Sequence, residues 1–310
     1  MVSKPFLAVC LNPTLQKTLL FSSLHRDNVN RALGHRLDIA GKGLNTARVL
    51  TQLGKKAIHL TQLGGSFRPI FLDLCEKEAL DIRWAESESP IRFCYTAIDL
   101  SDKSVTELVE EGSPVAPSTE KRIMDLYLET LPESGTLIIS GTKAQGFSPA
   151  ILPNMVKEAT EQGRRVILDI KGDDLGSSLQ YDPYLIKPNL EEFIATYMPE
   201  LLAAYRKGEL GSSDLRDTVA EVALELARVH GCRIVLTRGA RSVWIVEEGN
   251  FSEIEIEMVE PVNTIGSGDA FTAGLASALE DGKNLKEAVQ EGARCGRLNA
   301  LQLKPGSIYA

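Results

Sequence analysis

The run Glu253-Ile-Glu-Ile-Glu-Met-Val-Glu-Pro261, continuing as Val262-Asn-Thr-Ile-Gly-Ser-Gly-Asp-Ala-Phe-Thr-Ala-Gly274, carries the reading of this chain. Ile254, Ile256 and Met258 alternate with Glu253, Glu255 and Glu257, the period-2 pattern of a strand with one wet face, and Pro261 ends it. From Ala270 the spacing of Phe271, Ala273, Leu275, Ala276 and Leu279 predicts a helix that closes at Gly282. Gly266-Ser-Gly-Asp269 therefore lies at the mouth of a helix. Two glycines one residue apart let the N–H groups of Gly266, Ser267 and Gly268 converge in a concavity, and the helix dipole adds partial positive charge there. Such a concavity holds an anion, either a phosphate or an oxyanion that forms during reaction. On this tetrapeptide alone Asp269 has two readings. It is a cap in the first turn, or a base that takes a proton from a hydroxyl attacking a phosphoryl group.

The rest of the chain alternates strand and helix patterns. Phe6 to Leu11 reads as a strand, Leu44 to Leu53 as a helix stopping at Gly54, Ala57 to Leu63 as the next strand and Phe67 to Ala79 as the next helix. The alternation resumes at 118, with helices over 118–131, 149–162, 190–204, 214–230 and 284–302. Strands fall at Thr136 to Ser140, Arg165 to Asp169 and Tyr184 to Lys187, and a hairpin joins Arg233–Thr237 to Ser242–Val246 through Gly239. This order predicts a mostly parallel sheet with helices on both faces, and ligands in such sheets bind at the carboxyl ends of the strands. Residues 14–39 and 90–112 break the rhythm and read as a small antiparallel sheet beside the main one, a flap placed to cover a site. One domain over 1–310 with that flap is the expected organisation.

The strand ends collect small, polar and charged residues. They are Asn12, Gly64-Gly65, Ser140-Gly-Thr142, Asp169-Ile-Lys-Gly172, Lys187-Pro-Asn-Leu-Glu-Glu192, Thr237-Arg-Gly239 and Gly266-Ser-Gly-Asp269. Each taken singly fits an ordinary turn; seven in one chain favour a site.

Composition excludes several classes. A formal net charge of −8 over 310 residues gives no excess of Lys and Arg to displace counterions, so no nucleic-acid partner is expected. The five cysteines are odd in number, scattered and without a C-x-x-C pair, which predicts reduced, mostly buried thiols and a cytoplasmic protein. The apolar run after Met1-Val-Ser-Lys-Pro is too short for a signal peptide, and no stretch approaches a membrane span. There is no P-loop, no G-x-G-x-x-G after the first strand, no H-E-x-x-H and no G-x-S-x-G, and the four histidines have no ligand spacing.

Ala40-Gly-Lys-Gly-Leu-Asn45 and Asn263-Thr-Ile-Gly-Ser-Gly-Asp-Ala-Phe-Thr-Ala-Gly274 resemble the N- and C-terminal signatures of the PfkB (ribokinase-like) carbohydrate kinase family. Ser140-Gly141, Lys187-Pro-Asn-x-x-Glu192, Thr237-x-Gly239 and Asn299 fall where that family has its other landmarks. Asn12-Pro13-x-x-x-Lys17-Thr18, and Pro90-Ile-Arg92 followed by Val105-Thr-Glu-Leu108 and Gly112, resemble the 1-phosphofructokinase and tagatose-6-phosphate kinase branch. The resemblance implies a ribokinase-like α/β three-layer sandwich with a small antiparallel β lid. It implies transfer of the γ-phosphoryl group of ATP to a ketohexose monophosphate, with Mg²⁺ and with K⁺ as a candidate monovalent ion. Asp269 would be the base and Gly266 to Gly268 the anion hole. Lys42 and Arg92 would clamp the phosphate already on the sugar, with Asn12, Gln16, Gly41, Gly43, Asn45 and Ser140 completing the sugar site. Lys187, Asn189, Thr237, Gly239 and Asn299 would border the nucleotide, and Glu192 would act on Mg²⁺ through water.

The chain departs from the pattern in four places. Gln16 stands where the family has an Asp, Ala40 replaces a glycine, and Lys143 and Lys171 replace a Leu and a Ser. The alternatives are a kinase of an unphosphorylated sugar or nucleoside, against which Lys42 and Arg92 count, and a non-catalytic sugar-phosphate sensor, against which the intact Gly-Ser-Gly-Asp counts. The exposed apolar face of the flap, with Phe93, Tyr95, Ile98 and Leu108, predicts a two-fold homodimer built on it.

Overall fold

Along the first strand, β1 (Phe6–Val9), Phe6 and Ala8 join one apolar cluster while Leu7 and Val9 join another, so both faces of the strand are covered. A strand buried on both faces sits in the middle of a helix-covered sheet, which is how parallel sheets are built. In the computed structural model, which describes residues 4–309, the later strands repeat this division. Met1 to Ser3 of the N-terminal run and Ala310 lie outside the described residues.

After β1 the elements follow as β2 (Thr14–Phe21), β3 (Gly34–Ala40), α1 (Lys42–Gln52), β4 (Ala57–Gly64), α2 (Arg68–Lys77), β5 (Asp81–Ser87), β6 (Arg92–Asp99) and β7 (Ser104–Val109). Next come α3 (Pro117–Thr130), β8 (Thr136–Ser140), α4 (Ile151–Glu161), β9 (Arg165–Asp169), α5 (Gly172–Ser178), β10 (Leu185–Ile186), α6 (Leu190–Tyr197), α7 (Leu202–Lys207) and α8 (Ser212–His230). The chain ends with β11 (Arg233–Arg238), β12 (Arg241–Glu247), β13 (Asn250–Ile254), α9 (Ser267–Glu280) and α10 (Leu285–Ala300). The main sheet has nine strands in the order β13-β12-β11-β10-β9-β8-β1-β4-β5, antiparallel only where β12 pairs with β11 and β13. Helices α1, α9 and α10 cover one face and α3 to α6 and α8 the other, a three-layer α/β sandwich with the carboxyl ends of the parallel strands along one rim.

The lid is a second sheet, ordered β3-β2-β6-β7. Its outer pairs are antiparallel, while β2 and β6 run parallel with Thr14 opposite Arg92. A cluster of Leu15, Ile39, Leu44, Leu63, Phe71 and Ile91 anchors its base to α1 and α2.

The structure corrects three expectations. The strand expected through Met258 stops at Ile254, because Ile254 pairs with Val243 near the start of β12 and the chain beyond has almost no partner left; Met258 is 71% exposed. The helix expected over 190–204 is broken, since Met198 precedes Pro199 and the proline ring disfavours a helical Met198, which lies at φ −141°. Ile98 is not on the outer face of the lid: it shares a face with Cys94 and Thr96, all three buried, whereas Phe93, Tyr95 and Ala97 point the other way. The strand β5 and the helix α5, which periodicity did not predict, complete the sheet edge and cap the end of β9. Among the described residues no helix is long and apolar enough to cross a membrane, and all five cysteines are free and buried.

Candidate active site

The mouth of α9 is shaped by Asn263, which is fully buried. Its Oδ1 accepts the Ile265 N–H at 3.1 Å and its Nδ2 donates to the Leu303 carbonyl at 3.0 Å. Gly266 then takes φ 82°, and a Cβ there would fall 2.3 Å from the Gly306 nitrogen, so no other residue fits. The helix has no side-chain cap. The Ser267 N–H, expected in the anion hole, is instead spent on the Thr264 carbonyl at 3.2 Å, closing the turn into the helix. Among the described residues the Gly266 and Gly268 N–H groups have no acceptor, and both glycines line the cleft. Asp269 does not cap the helix either. Its Oδ2 accepts from Asn45 Nδ2 at 2.8 Å, so the carboxylate faces across the cleft toward α1.

The mouth of α1 lies opposite. Gly43 packs on β1, where a Cβ would sit 2.6 Å from the Val9 carbonyl oxygen. This close approach brings Lys42 and Asn45 to the ends of the strands. Lys42 Nζ reaches Glu192 Oε1 at 3.3 Å, and Lys171 Nζ is 3.8 Å from the same oxygen. Asp169, at the end of β9 and 2% exposed, pairs with Lys187 Nζ at 3.2 Å and accepts from Thr272 Oγ1 at 2.8 Å.

Asp269 and Asp169 are both buried and shift in opposite directions. Burial pushes Asp269 up to about 7, reinforced by the Asp169 charge and only partly offset by Lys42, Asn45 and Lys187. Burial acts on Asp169 in the same sense, but Lys187, Lys42 and the bond from Thr272 overcome it and hold the group below its ordinary range. Burial would lower Lys42, yet Asp169, Glu192 and Asp269 keep it well above the usual lysine value. The site thus holds one carboxylate that stays charged and one poised to exchange a proton near neutrality.

The lid supplies the far wall of a cleft of about 500 Å³. Arg92 Nη1 donates to the Glu110 carbonyl at 2.9 Å, and its Nε is buried without an acceptor. Gln16 donates to Thr96 Oγ1 at 2.6 Å and Asn12 to Thr142 Oγ1 at 3.3 Å, leaving their amide oxygens to the cleft.

A family model described as pfkB family carbohydrate kinase matches residues 10–308. The chain belongs to that family. It is a phosphotransferase with an alcohol group as acceptor. A tagatose-6-phosphate kinase from Staphylococcus epidermidis is 26% identical over 97% of this chain and 94% of the relative. The phosphofructokinase-2 of Escherichia coli solved with fructose-6-phosphate superposes with a TM-score of 0.83 at 22% identity, covering 98% of this chain and 96% of that one. A possible 1-phosphofructokinase from Thermotoga maritima gives 0.84 at 20% identity, over 98% and 93% of the two chains. The Escherichia coli protein has also been solved in complex with potassium.

Of the residues that the PfkB resemblance assigns, Asn12, Gln16, Gly41, Lys42, Asn45, Arg92, Lys187, Asn189, Glu192, Thr237, Gly266, Gly268 and Asp269 line one cleft. The others do not line it. Ser140 is buried in register with Asp169, Gly239 forms the β11–β12 turn, and Gly43 seats α1. Asn299, expected at the nucleotide, is fully buried beneath the Gly266 loop. It donates to the Ile265 carbonyl at 2.9 Å and to Ser267 Oγ at 3.0 Å, and accepts from Ser307 N at 3.0 Å. Lys143 is drawn away to Asp174, whereas Lys171 stays on the cleft.

Three contributors were not singled out as site residues from the sequence: Asp169, Glu107 on the lid, and Arg48 on α1. Asp169 had a signal, being a carboxylate at a strand end, and Glu107 lies in the Thr-Glu-x-x-x-x-Gly run that carries the resemblance; Arg48 had none. Among the described residues no group of three or more His, Cys, Asp or Glu side chains could hold a metal ion. Glu192 Oε2 is occupied by the Asn189 N–H at 3.1 Å, leaving Oε1 toward the cleft. One such oxygen suits Mg²⁺ that keeps its waters and binds phosphate, not an ion caged by protein.

Proposed function

We propose that this PfkB kinase transfers the γ-phosphoryl group of ATP to a hydroxyl of a ketohexose monophosphate, of the fructose 1-phosphate or tagatose 6-phosphate type. The observation that carries the reading is the uncapped mouth of α9, where unpartnered N–H groups lie beside a buried Asp269 whose proton affinity sits near 7. Phosphoryl transfer needs positioning and charge stabilisation more than covalent chemistry, and these parts supply both.

Asp269 holds the acceptor hydroxyl and takes its proton as the oxygen attacks. Gly266 and Gly268 donate to the oxygens of the group in transit. Lys42, which the resemblance set beside Arg92 at the sugar's own phosphate, is proposed instead to offset charge on the group in transit, because the charges around it are Asp169, Glu192 and Asp269. Mg²⁺ carried by the nucleotide neutralises phosphate charge when bound, with Glu192 the carboxylate available to one of its waters. Asn189, Thr237 and Lys187 border the nucleotide end. Arg92 takes the phosphate already on the sugar, because its buried Nε lacks an acceptor and a buried donor left unpaired costs about 1–3 kcal/mol. Gln16 and Asn12 offer amide oxygens to the sugar hydroxyls.

The outer lid face, where Tyr95 stands opposite Leu108 and Leu108 is 59% exposed, is proposed as a two-fold contact with a second copy. Light scattering of wild type and Tyr95→Glu tests it: the wild type should be a dimer and the variant a monomer.

A coupled assay with ATP over sugar phosphates, free sugars and nucleosides tests the main reading. Ketohexose monophosphates should give the highest kcat/KM, and Arg92→Ala should raise their KM by about 10–100-fold, the equivalent of one charge-assisted bond, with little effect on ATP. A free sugar or nucleoside preferred over every sugar phosphate overturns it.

A further inference from the structure

Arg48 is a guanidinium with 2% of its surface exposed, one turn along α1 from Asn45. Its Nη1 donates to Asn45 Oδ1 at 3.0 Å and to the carbonyls of Pro305 and Gly306 at 3.2 and 3.4 Å. Its Nη2 donates to the Ile39 carbonyl at 2.6 Å, and its Nε to Glu78 Oε2 at 2.5 Å. Burying a guanidinium is costly unless its donors are matched, and here acceptors lie along both of its edges. Arg48 is paired with Glu78, which lies outside the cleft and shares its charge with Lys304 at 2.7 Å.

Two of those acceptors lead to the reacting groups. By occupying Asn45 Oδ1, Arg48 leaves the amide one orientation, with Nδ2 aimed at Asp269 Oδ2 2.8 Å away. An unheld amide has two orientations of similar shape, and the wrong one would set Oδ1 against the carboxylate. By binding the Pro305 and Gly306 carbonyls, Arg48 fixes the C-terminal turn against which Gly266 rests: Gly306 leaves Gly266 no room for a Cβ, and Gly306 is itself packed on Asn45, 2.4 Å from where its own Cβ would stand. We propose that Arg48 is a positioning residue that holds the base Asp269, through Asn45, and the N–H groups at the mouth of α9, through residues 305–306, in one fixed relation.

This inference rests on Asp269 being the base. The charged or titratable groups facing Asp269 are Lys42 from α1, Asp169 from the end of β9, Lys187 after β10 and the Cys10 thiol after β1; Asn45 is the polar neighbour whose orientation Arg48 sets. None of these charges is altered by replacing Arg48, so a kinetic change would report the amide and the turn.

The experiment compares Arg48→Met, Arg48→Lys, Asn45→Ala and Glu78→Gln by kcat, KM for both substrates, the pH profile of kcat and Tm. Arg48→Met should lower kcat by about 10–100-fold, since misplacing a reacting group by about 1 Å costs on the order of 10²-fold. KM should stay near wild type. The acidic limb of kcat should move to higher pH, because Asn45's bond favours the charged Asp269. Arg48→Lys keeps a cation beside Glu78 but not the fork, so it should fold and share the kinetic defect. Adding Asn45→Ala to Arg48→Lys should move the limb no further than Asn45→Ala alone, while Glu78→Gln should lower Tm and leave the limb in place. If both Arg48 variants lose Tm but keep the wild-type limb and kcat, or if Glu78→Gln moves the limb as far as they do, Arg48 is only structural. Should Asp269→Asn itself remain active, the base assignment fails, an outcome separate from any result at Arg48.

Discussion

The mouths of α6 and α9 open onto the same cleft and are built from opposite chemistry. At α6 the cap is Asn189 and the third residue is Glu192, and the two close a capping box: Asn189 Oδ1 accepts from Glu192 N at 2.8 Å while Glu192 Oε2 accepts from Asn189 N at 3.1 Å. At α9 the cap is Gly266 and the third residue is Asp269, again a carboxylate, but no side chain closes the turn. A capped mouth spends its donors on itself, whereas an uncapped mouth keeps them for a ligand. The carboxylate at the third position follows suit: Glu192 folds back on its own helix, and Asp269 reaches across to Asn45. The stability that a cap contributes, about 1 kcal/mol, is forgone at α9 in exchange for an anion site.

Four experiments probe that contrast. The largest effect is expected at Asp269. Asp269→Asn should lower kcat by ~10²–10⁴-fold with nucleotide affinity nearly intact, while Glu287→Gln, at the third position of the capping box of α10, should not change kcat at all. Steady-state rates and nucleotide titration check both, and a variant keeping more than about a tenth of wild-type kcat would break the contrast.

Gly268→Ala comes next. A Cβ there meets nothing within 4 Å in the protein, so the fold accepts it and the helix gains about 0.5–1 kcal/mol, yet the methyl enters the space of the anion. The rate should fall at least tenfold, toward the ~10²–10³-fold known for losing one oxyanion donor. A faster or unchanged enzyme of higher Tm would show that the mouth of α9 holds no anion.

The third concerns pH. With Asp269 pushed up to about 7, kcat should rise with pH through that value. Stability should run the other way. Burial raises the folded-state pKa of Asp269 above its unfolded value, so the native state binds the proton more tightly. The contribution to stability is full below the unfolded value and is lost as pH rises through about 7. Asp269→Asn should therefore flatten this loss and melt above wild type at pH 8, as thermal scans across pH would reveal.

The smallest effect belongs to the closed caps. Asn284→Ala at α10 should cost about 1 kcal/mol of stability, a melting shift of a few degrees at most, with kcat unchanged. A rate loss from this change would mean that capping and catalysis are not separable here.

Much of the fold and part of the site were legible in the residues. The alternation of strand and helix, the glycines at helix mouths and the charged strand ends are local signals, because hydrophobic period and turn chemistry act over a few residues. They located the sheet, the lid, the mouth of α9 and the strand-end residues Asn12, Lys187 and Glu192, whereas Lys42 and Arg92 were singled out only through the resemblance to the PfkB signatures. The strand expected through Met258 failed for a nonlocal reason: its alternation is genuine, but β12 ends and leaves it without a partner. Local pattern was equally silent on Arg48 and Asn299, since a buried Arg or Asn looks the same in sequence as one at the surface. Only packing decided that Asp269 would answer to Asn45, 224 positions away, and not to its own helix. Only packing set Asp169 and Asp269 side by side, so that lysines hold one charged while burial drives the other toward neutrality. The sequence by itself determined which groups the site would own. Their proton affinities, orientations and division between cleft and support come from desolvation and charge among elements far apart in the chain, which exist only once the sandwich has closed.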